Sequence, residues 1–275
     1  GQYSSLKFEP DEIKQIEYAA LLHDFGKVGV REHVLVKPKK LYGHERDLID
    51  LRFQYIRRTI ELDAQRAKVS YLLEATADQV EEELRKCDSE AAEKIAEIDD
   101  FLCFILKANE PTVLEQGGFE RISEIAKGRY ADVYGSESAY LSPEEVISLQ
   151  VARGSLTQDE RVEIESHVIH TYNFLQQIPW GRTYRSIPEV AGAHHEKLDG
   201  TGYPRGLMAA DIPAPAKMMT ISDIFDALTA SDRPYKRAVP LGKALDILKS
   251  EVDRGKLDSA LFEMFLEAKV YDLVS

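Results

Sequence analysis

Residues 191–204 read AGAHHEKLDGTGYP, and residues 221–236 read ISDIFDALTASDRPYK. The first segment places two adjacent histidines, His194 and His195, before a glycine-rich turn, and the second segment opens an aspartate-rich helix. Histidine supplies a neutral nitrogen ligand, and aspartate supplies a hard anionic oxygen. A cluster of both residue types therefore favours a site for divalent first-row metals over a protein core.

Two further segments carry the same kinds of side chain. Residues 23–30 read HDFGKVGV, and they follow an apolar run whose three-and-four spacing predicts a buried helical face. Residues 156–170 read LTQDERVEIESHVIH and include His167. A capping box formed by Thr157 and Glu160 predicts the start of the helix that carries this histidine. Three distant parts of the chain thus offer metal-binding side chains on or beside predicted helices.

In this order, the four segments resemble the HD-GYP family, a branch of the HD superfamily of metal-dependent phosphohydrolases. The family is named after two motifs, which stand here as His23-Asp24 and Gly202-Tyr203-Pro204. The resemblance covers roughly residues 11–40 and 155–275. It implies an all-α fold, the helical bundle of an HD domain.

The resemblance also implies a ligand set for two divalent metal ions, with iron or manganese expected. The six residues that match are His23, Asp24, His167, His194, His195 and Asp223. Asp24 is expected to bridge the ions, with His23 and Asp223 completing one shell and the three later histidines completing the other. Some family members hold a third ion with a glutamate and a histidine upstream of the HD pair. The 22 residues before His23 contain no histidine, so two ions are expected.

Catalytic and substrate-binding roles follow from the same resemblance. Asp24 and Lys27 are the expected catalytic residues, and Lys27 would also present its ammonium to a phosphate or a leaving oxygen. Tyr203 is expected either to contact a guanine base or ribose or to brace its own loop. The full set of expected substrate contacts is Lys27, Gly202, Tyr203, Pro204, Arg233 and Lys236.

The implied function is a phosphodiesterase that hydrolyses cyclic di-GMP to pGpG, GMP or both. Two metal ions suit this reaction because they activate a water molecule and neutralise the phosphoryl oxygens. One alternative is hydrolysis of another cyclic dinucleotide, such as cyclic GMP-AMP. Another is a catalytically weak receptor that binds the dinucleotide and signals through a helical insertion. An intact ligand set favours the enzyme, since a pure receptor has no physical need for six metal-binding side chains.

Composition excludes several classes of partner. The net charge is −13, and binding to a nucleic-acid polymer draws most of its affinity from clustered lysine and arginine. No apolar run approaches the roughly 20 residues that span a bilayer, so no membrane span is expected. The first residues, GQYSSLKFEP, lack the basic and apolar regions of a signal peptide, and a cytoplasmic location is expected.

A long insertion is expected to interrupt the catalytic domain, which would consist of residues 1–40 and 155–275. Within the insertion, residues 41–154, the stretch 44–109 contains no glycine or proline, and its apolar residues recur in steps of three, four or seven. This pattern predicts long helices with coiled-coil character. We expect an antiparallel hairpin that turns at Asp88-Ser89. Its unequal arms would leave apolar residues uncovered, which predicts a homodimer formed through the insertion.

Overall fold

The computed structural model describes Tyr3 and residues 6–74, 77–230 and 238–273. This part of the chain is mostly helical, which confirms the expected all-α class. None of the helices described combines the length and the apolar character needed to cross a membrane. In chain order the α-helices are α1 (Pro10–Leu22), α2 (Glu32–Leu35), α3 (Gly43–Glu74), α4 (Ala77–Ala108), α5 (Gly118–Ile125), α6 (Pro143–Leu149), α7 (Gln158–Gln176), α8 (Gly181–Tyr184), α9 (Ile187–Ala191), α10 (Ala214–Thr229), α11 (Leu241–Asp253) and α12 (Ser259–Glu267).

The chain divides into two compact units. The first unit consists of residues 1–36 and 158–275, and the second consists of residues 37–157. The sequence-based expectation placed the domain boundaries after residues 40 and 154. All six candidate metal ligands belong to the first unit.

Helix α10 lies between two apolar clusters of the first unit. Ala216 and Met219 pack with residues of α1, α7 and α9 in one cluster. Ile221 and Phe225 pack with residues of α11 and α12 in the other. Because both sides of the helix are buried, the carboxylate of Asp223 is carried by a firmly packed element.

A 3₁₀ helix, Phe25–Gly29, packs closely on α7. The backbone N–H of Gly26 donates to the hydroxyl of Thr171 at 2.9 Å, and that hydroxyl donates to the carbonyl of His23 at 2.9 Å. A Cβ atom at Gly26 would lie only 2.0 Å from the carbonyl oxygen of His167. The missing side chain therefore lets the HD pair lie directly beside α7.

The second unit is built on the pair α3 and α4, which have 32 residues each. Arg57 pairs with Asp99 and Lys68 with Asp88, so positions rise along one helix as they fall along the other, and the helices run antiparallel. Buried apolar residues line their contact and continue into α5 and α6; the set includes Ile49, Phe53, Ile56, Ile98, Ile105, Ile122, Ile125 and Leu149.

The expected turn at Asp88-Ser89 is wrong. Both residues lie inside α4, and the connection between the arms falls between Glu74 and Ala77. Aspartate and serine are tolerated at solvent-facing helix positions, and here Asp88 pairs with Lys68 across the hairpin. The arms are equal in length, so the argument from an uncovered longer arm no longer supports a dimer.

A small β-hairpin in the second unit was not expected. Strands β1 (Arg129–Ala131) and β2 (Glu137–Ala139) pair antiparallel, with Tyr130 opposite Ser138. The turn between them contains Gly135 at φ 80°, a conformation that glycine adopts without strain. Strands of three residues are too short to display an alternating apolar pattern, which explains why the sequence did not predict them.

Candidate metal centre

The structure brings all six predicted ligands into one cluster. The rings of His23 and His194 lie 4.8 Å apart between centroids, and the rings of His167 and His195 lie 5.2 Å apart. Asp223 reaches the same cluster, since its carboxylate oxygens lie 3.6 Å from His23 Nε2 and 3.9 Å from His195 Nδ1. The end of α1, the middle of α7, the turn after α9 and the middle of α10 thus converge on one point.

Three of the histidines are oriented in the same way. The Nδ1 atoms of His23, His167 and His194 lie 2.6, 2.5 and 2.6 Å from backbone carbonyl oxygens three residues earlier in the chain. A carbonyl oxygen only accepts hydrogen bonds, so Nδ1 carries a hydrogen and, in the neutral ring, Nε2 presents its lone pair. This is the arrangement by which a metal-binding imidazole is usually held.

The Nε2 atoms of these three rings have no hydrogen-bond partner among the described residues. The buried atoms without such a partner are His23 Nε2, Asp24 Oδ1, His167 Nε2 and His194 Nε2. Buried polar atoms are normally hydrogen-bonded, and leaving them unpaired costs free energy. Their ligand atoms also form two overlapping groups within 4.8 Å, one of His23, Asp24 and His194 and one of the three later histidines. The residues present therefore fit a metal centre.

Asp24 faces both parts of the cluster. One carboxylate oxygen lies 3.3 Å from His23 Nε2, and the other lies 3.3 Å from His167 Nε2. The ammonium of Lys27 lies 2.5 Å from the first of these oxygens. Burial alone would raise the pKa of Asp24, but the nearby rings of His167 and His23 and the hydrogen bond from Lys27 outweigh it and hold the pKa well below its ordinary value. A carboxylate that stays ionised and faces both parts of the cluster is suited to bridging two cations.

The pKa values of the histidines favour metal binding. Burial lowers the pKa of His194 to about 4 and that of His195 to about 3, so both rings are neutral at physiological pH, as a ligand must be. Burial would also lower the pKa of His23, but hydrogen bonds to Asp223 and Asp24 raise it to about 10. A metal at His23 Nε2 must therefore displace a proton, and metal affinity should weaken as the pH falls.

The expected substrate-binding residues are only partly described. The side chain of Lys27 is 43% exposed at the edge of the cluster. Gly202, Tyr203 and Pro204 lie in a loop beside the histidines, and the ring of Tyr203 stacks on His195 at 4.7 Å between centroids. Arg233 and Lys236 lie outside the described residues.

Two buried threonines that sequence reasoning missed hold ligand segments in place. Thr171 donates to the carbonyl of His23 at 2.9 Å, and Thr220 donates to the carbonyl of His194 at 2.7 Å. Thr171 lies one turn after His167 on α7, and Thr220 lies one turn before Asp223 on α10. A polar residue one helical turn from a candidate ligand, on the same buried face, was the signal that could have identified them.

The chain matches known proteins over this region. Residues 130–261 match the family model described as the HD domain. The chain is 31% identical over 244 residues to the cyclic di-GMP phosphodiesterase response regulator RpfG of Xanthomonas campestris, a match that covers 81% of this chain and 56% of that protein. It is 38% identical over 125 residues to the 3'3'-cGAMP-specific phosphodiesterase 1 of Vibrio cholerae, which covers 46% of this chain and 27% of that protein.

A cyclic di-GMP phosphodiesterase of Thermotoga maritima is 44% identical over 80 residues, or 29% of this chain and 21% of that protein. The chain thus spans about half or less of the length of these relatives. The two signature motifs and the converging ligands agree with these likenesses. Residues 130–261 thus resemble an HD domain, and the two signature motifs are similar to those of the HD-GYP branch.

Proposed function

We propose that this chain is a metal-dependent phosphodiesterase that hydrolyses cyclic di-GMP to pGpG, GMP or both. The observation that carries the proposal is the cluster of buried imidazole and carboxylate lone pairs without hydrogen-bond donors among the described residues. The names of the relatives in Xanthomonas campestris and Thermotoga maritima support this substrate. Hydrolysis of cyclic GMP-AMP is the second candidate, which the name of the Vibrio cholerae relative favours.

Two divalent ions, iron or manganese, would supply an activated water molecule and charge neutralisation at the phosphoryl oxygens. His23 and Asp223 would hold one ion, His167, His194 and His195 would hold the other, and Asp24 would reach both. The ligand atom of His194 also lies within 4.8 Å of those of His23 and Asp24, so its ring is close enough to bind either ion.

Lys27 is the cation that the described residues place beside Asp24. Its ammonium lies 2.5 Å from a carboxylate oxygen of Asp24. The side chain is partly exposed, so a phosphodiester could approach the ammonium from solvent. In that position it would bind a phosphate oxygen and stabilise the negative charge that develops on the leaving oxygen. The loop with Gly202, Tyr203 and Pro204 would border the same opening. Arg233 and Lys236 are proposed as phosphate contacts from their motif alone.

Removal of the metals should abolish hydrolysis. We expect protein treated with a chelator to lose turnover of cyclic di-GMP and to regain it with Mn²⁺ or Fe²⁺, because the water and the phosphate would otherwise lack a cation. The assay measures linear and mononucleotide products, with cyclic GMP-AMP run in parallel. Undiminished turnover after verified metal removal would exclude the two-metal mechanism, and binding without turnover in the reloaded protein would favour the receptor.

Substitution of Lys27 should separate chemistry from metal binding. We expect Lys27→Ala to lower kcat by about 10²–10³-fold, as the loss of one charge-stabilising donor does in other enzymes, while the metal content is retained. Elemental analysis and steady-state kinetics measure the two quantities. Lys243→Ala, at an exposed lysine on α11, serves as the control and should leave both unchanged. A loss of metal in Lys27→Ala as large as in an Asp24 variant would assign Lys27 to the scaffold of the site.

We also propose that the second unit forms a homodimer through α3. Ile49, Phe53 and Ile56 of this helix are buried in the core of the unit. The opposite side is apolar as well, and its exposed residues are Leu48, Leu51, Leu62, Val69 and Leu72. Successive residues of this set are 3, 11, 7 and 3 positions apart, which places all five at the a and d positions of one heptad register, the spacing of a coiled-coil seam. In a parallel pair, Glu61 beside this seam would face Arg66 of a second copy, which gives complementary charge.

Light scattering at tens of micromolar tests the dimer. The intact chain should have twice the mass of one chain, and Leu62→Glu should shift it towards the monomer, because the new carboxylates would be buried against each other. Ile147→Glu replaces an exposed apolar residue on α6 and should leave the mass unchanged. A monomeric intact chain at this concentration would reject the proposal.

A further inference from the structure

One ligand histidine is held differently from the others. His23, His167 and His194 each bond a backbone carbonyl through Nδ1, whereas Nδ1 of His195 lies towards the cluster, 3.9 Å from a carboxylate oxygen of Asp223. This distance is too long for a hydrogen bond, and the described residues provide none to the His195 ring. Its ring lies instead against the ring of Tyr203, at 4.7 Å between centroids and 28° between planes. The ring of His194 is its other close neighbour, at 4.1 Å. The orientation of His195 therefore depends on packing.

The loop that carries Tyr203 folds back on the segment just after His195. The carboxylate of Glu196, which is 2% exposed, accepts the backbone N–H groups of Arg205 and Leu207, both at 2.8 Å. The N–H of Tyr203 donates to the carbonyl of His195 at 3.3 Å. Gly202 lies so close that a Cβ atom there would be 2.5 Å from the Cα of Glu196. These contacts fix the position of the Tyr203 ring relative to the His195 imidazole.

A second set of contacts ties the loop to the helices around the metal site. The guanidinium of Arg205 bonds the carboxylate of Glu189 on α9 at 2.9 Å, and the hydroxyl of Tyr172 on α7 bonds the same carboxylate at 2.7 Å. The Arg205 guanidinium also lies over the Tyr172 ring at 5.6 Å. The loop is thus anchored to α7, which carries His167, and to α9, which leads to His194.

We propose that Tyr203 is a positioning residue for the metal ligand His195, and that Glu196 holds the loop so that the stacked ring of Tyr203 fixes the plane of this imidazole, which no hydrogen bond orients. This proposal rests on the proposed metal site. A ligand imidazole must be oriented before the metal arrives, and outer contacts that do this typically change metal affinity by 10–100-fold. The ring face of Tyr203 that covers His195 is unavailable to a nucleotide base, so the motif tyrosine serves the metal centre through that face.

Titration of the metal-free protein with Co²⁺ tests the proposal without any substrate. Tyr203→Leu should bind Co²⁺ about 10–100-fold more weakly and alter its visible absorption, because a nitrogen ligand is no longer held in place. Tyr203→Phe keeps the ring and should retain the wild-type affinity and spectrum. Thr201→Ala, at an exposed position of the same loop, is the control. Thermal unfolding of each metal-free variant verifies that it is folded.

Wild-type affinity and spectrum in folded Tyr203→Leu would overturn the proposal, as would equal losses in the leucine and phenylalanine variants. If Tyr203→Leu does not fold, Glu196→Gln decides. The glutamine amide nitrogen cannot accept a hydrogen bond, so the backbone N–H of either Arg205 or Leu207 would lose its acceptor. We therefore expect this variant to bind Co²⁺ more weakly. Unchanged binding would overturn the proposal. A wild-type protein that binds Co²⁺ as described but hydrolyses no cyclic dinucleotide would refute the proposed activity and leave this inference standing.

Discussion

Asp24→Ala is expected to abolish both metal binding and hydrolysis. Each oxygen of this carboxylate lies 3.3 Å from a different ligand histidine, so its loss removes negative charge from both parts of the cluster at once. Metal ions contribute several kcal/mol of charge stabilisation to such reactions. At 1.36 kcal/mol for each tenfold change in rate, we expect hydrolysis to fall by at least about 10³-fold.

Elemental analysis after purification with Mn²⁺, together with a hydrolysis assay, measures both effects of Asp24→Ala. Asp226→Ala provides the matched control, because Asp226 is an exposed carboxylate one helical turn beyond Asp223 on α10. The control should keep its metal and its activity. If Asp24→Ala retained a full complement of metal, the bridging role proposed for this residue would be wrong.

The six candidate ligands could be named from the sequence because they stand in short, ordered motifs that resemble those of a known family. His23-Asp24 and His194-His195 are each adjacent in the chain, and the helix that precedes His23-Asp24 was visible from apolar spacing. The orientation of each imidazole was not predictable. It depends on the backbone carbonyl that each Nδ1 meets, and for His195 on a loop whose path is set by tertiary contacts with Glu196.

The helical hairpin of the second unit illustrates a different limit. Its two long helices were expected from the absence of glycine and proline, but the turn was placed at Asp88-Ser89 and the structure has it between Glu74 and Ala77. Apolar residues recur with the same spacing on both arms, so the pattern does not mark where one arm ends. The preference of Asp88 and Ser89 for helix starts and turns was a weaker constraint than the packing of the apolar face of α3 along α4.

Gly26→Ala is expected to lower the stability of the fold around the site, because the added methyl group has no room beside α7. The added Cβ atom would lie 2.0 Å from the carbonyl oxygen of His167 and 2.6 Å from the backbone nitrogen of Thr171. Both are backbone atoms of α7, so no side-chain rotation relieves the clash. The 3₁₀ helix must move away from α7, which breaks the hydrogen bond between the Gly26 N–H and Thr171. Overpacking of this kind costs about 3 kcal/mol or more.

The same movement would separate the ligands, because His23 and Asp24 lie immediately before the 3₁₀ helix and His167 lies on α7. We therefore expect Gly26→Ala to bind Mn²⁺ weakly and to unfold roughly 6–12 °C below the wild type in the metal-free state. Calorimetry of metal-free protein measures the fold by itself. Gly242→Ala is the matched control, since a Cβ atom at this exposed glycine of α11 meets nothing within 4 Å and its Tm should be unchanged or slightly raised. An equal Tm for the two variants would show that the contact between the HD turn and α7 is looser than the structure has it, and the close approach of Asp24 to His167 would then need another cause.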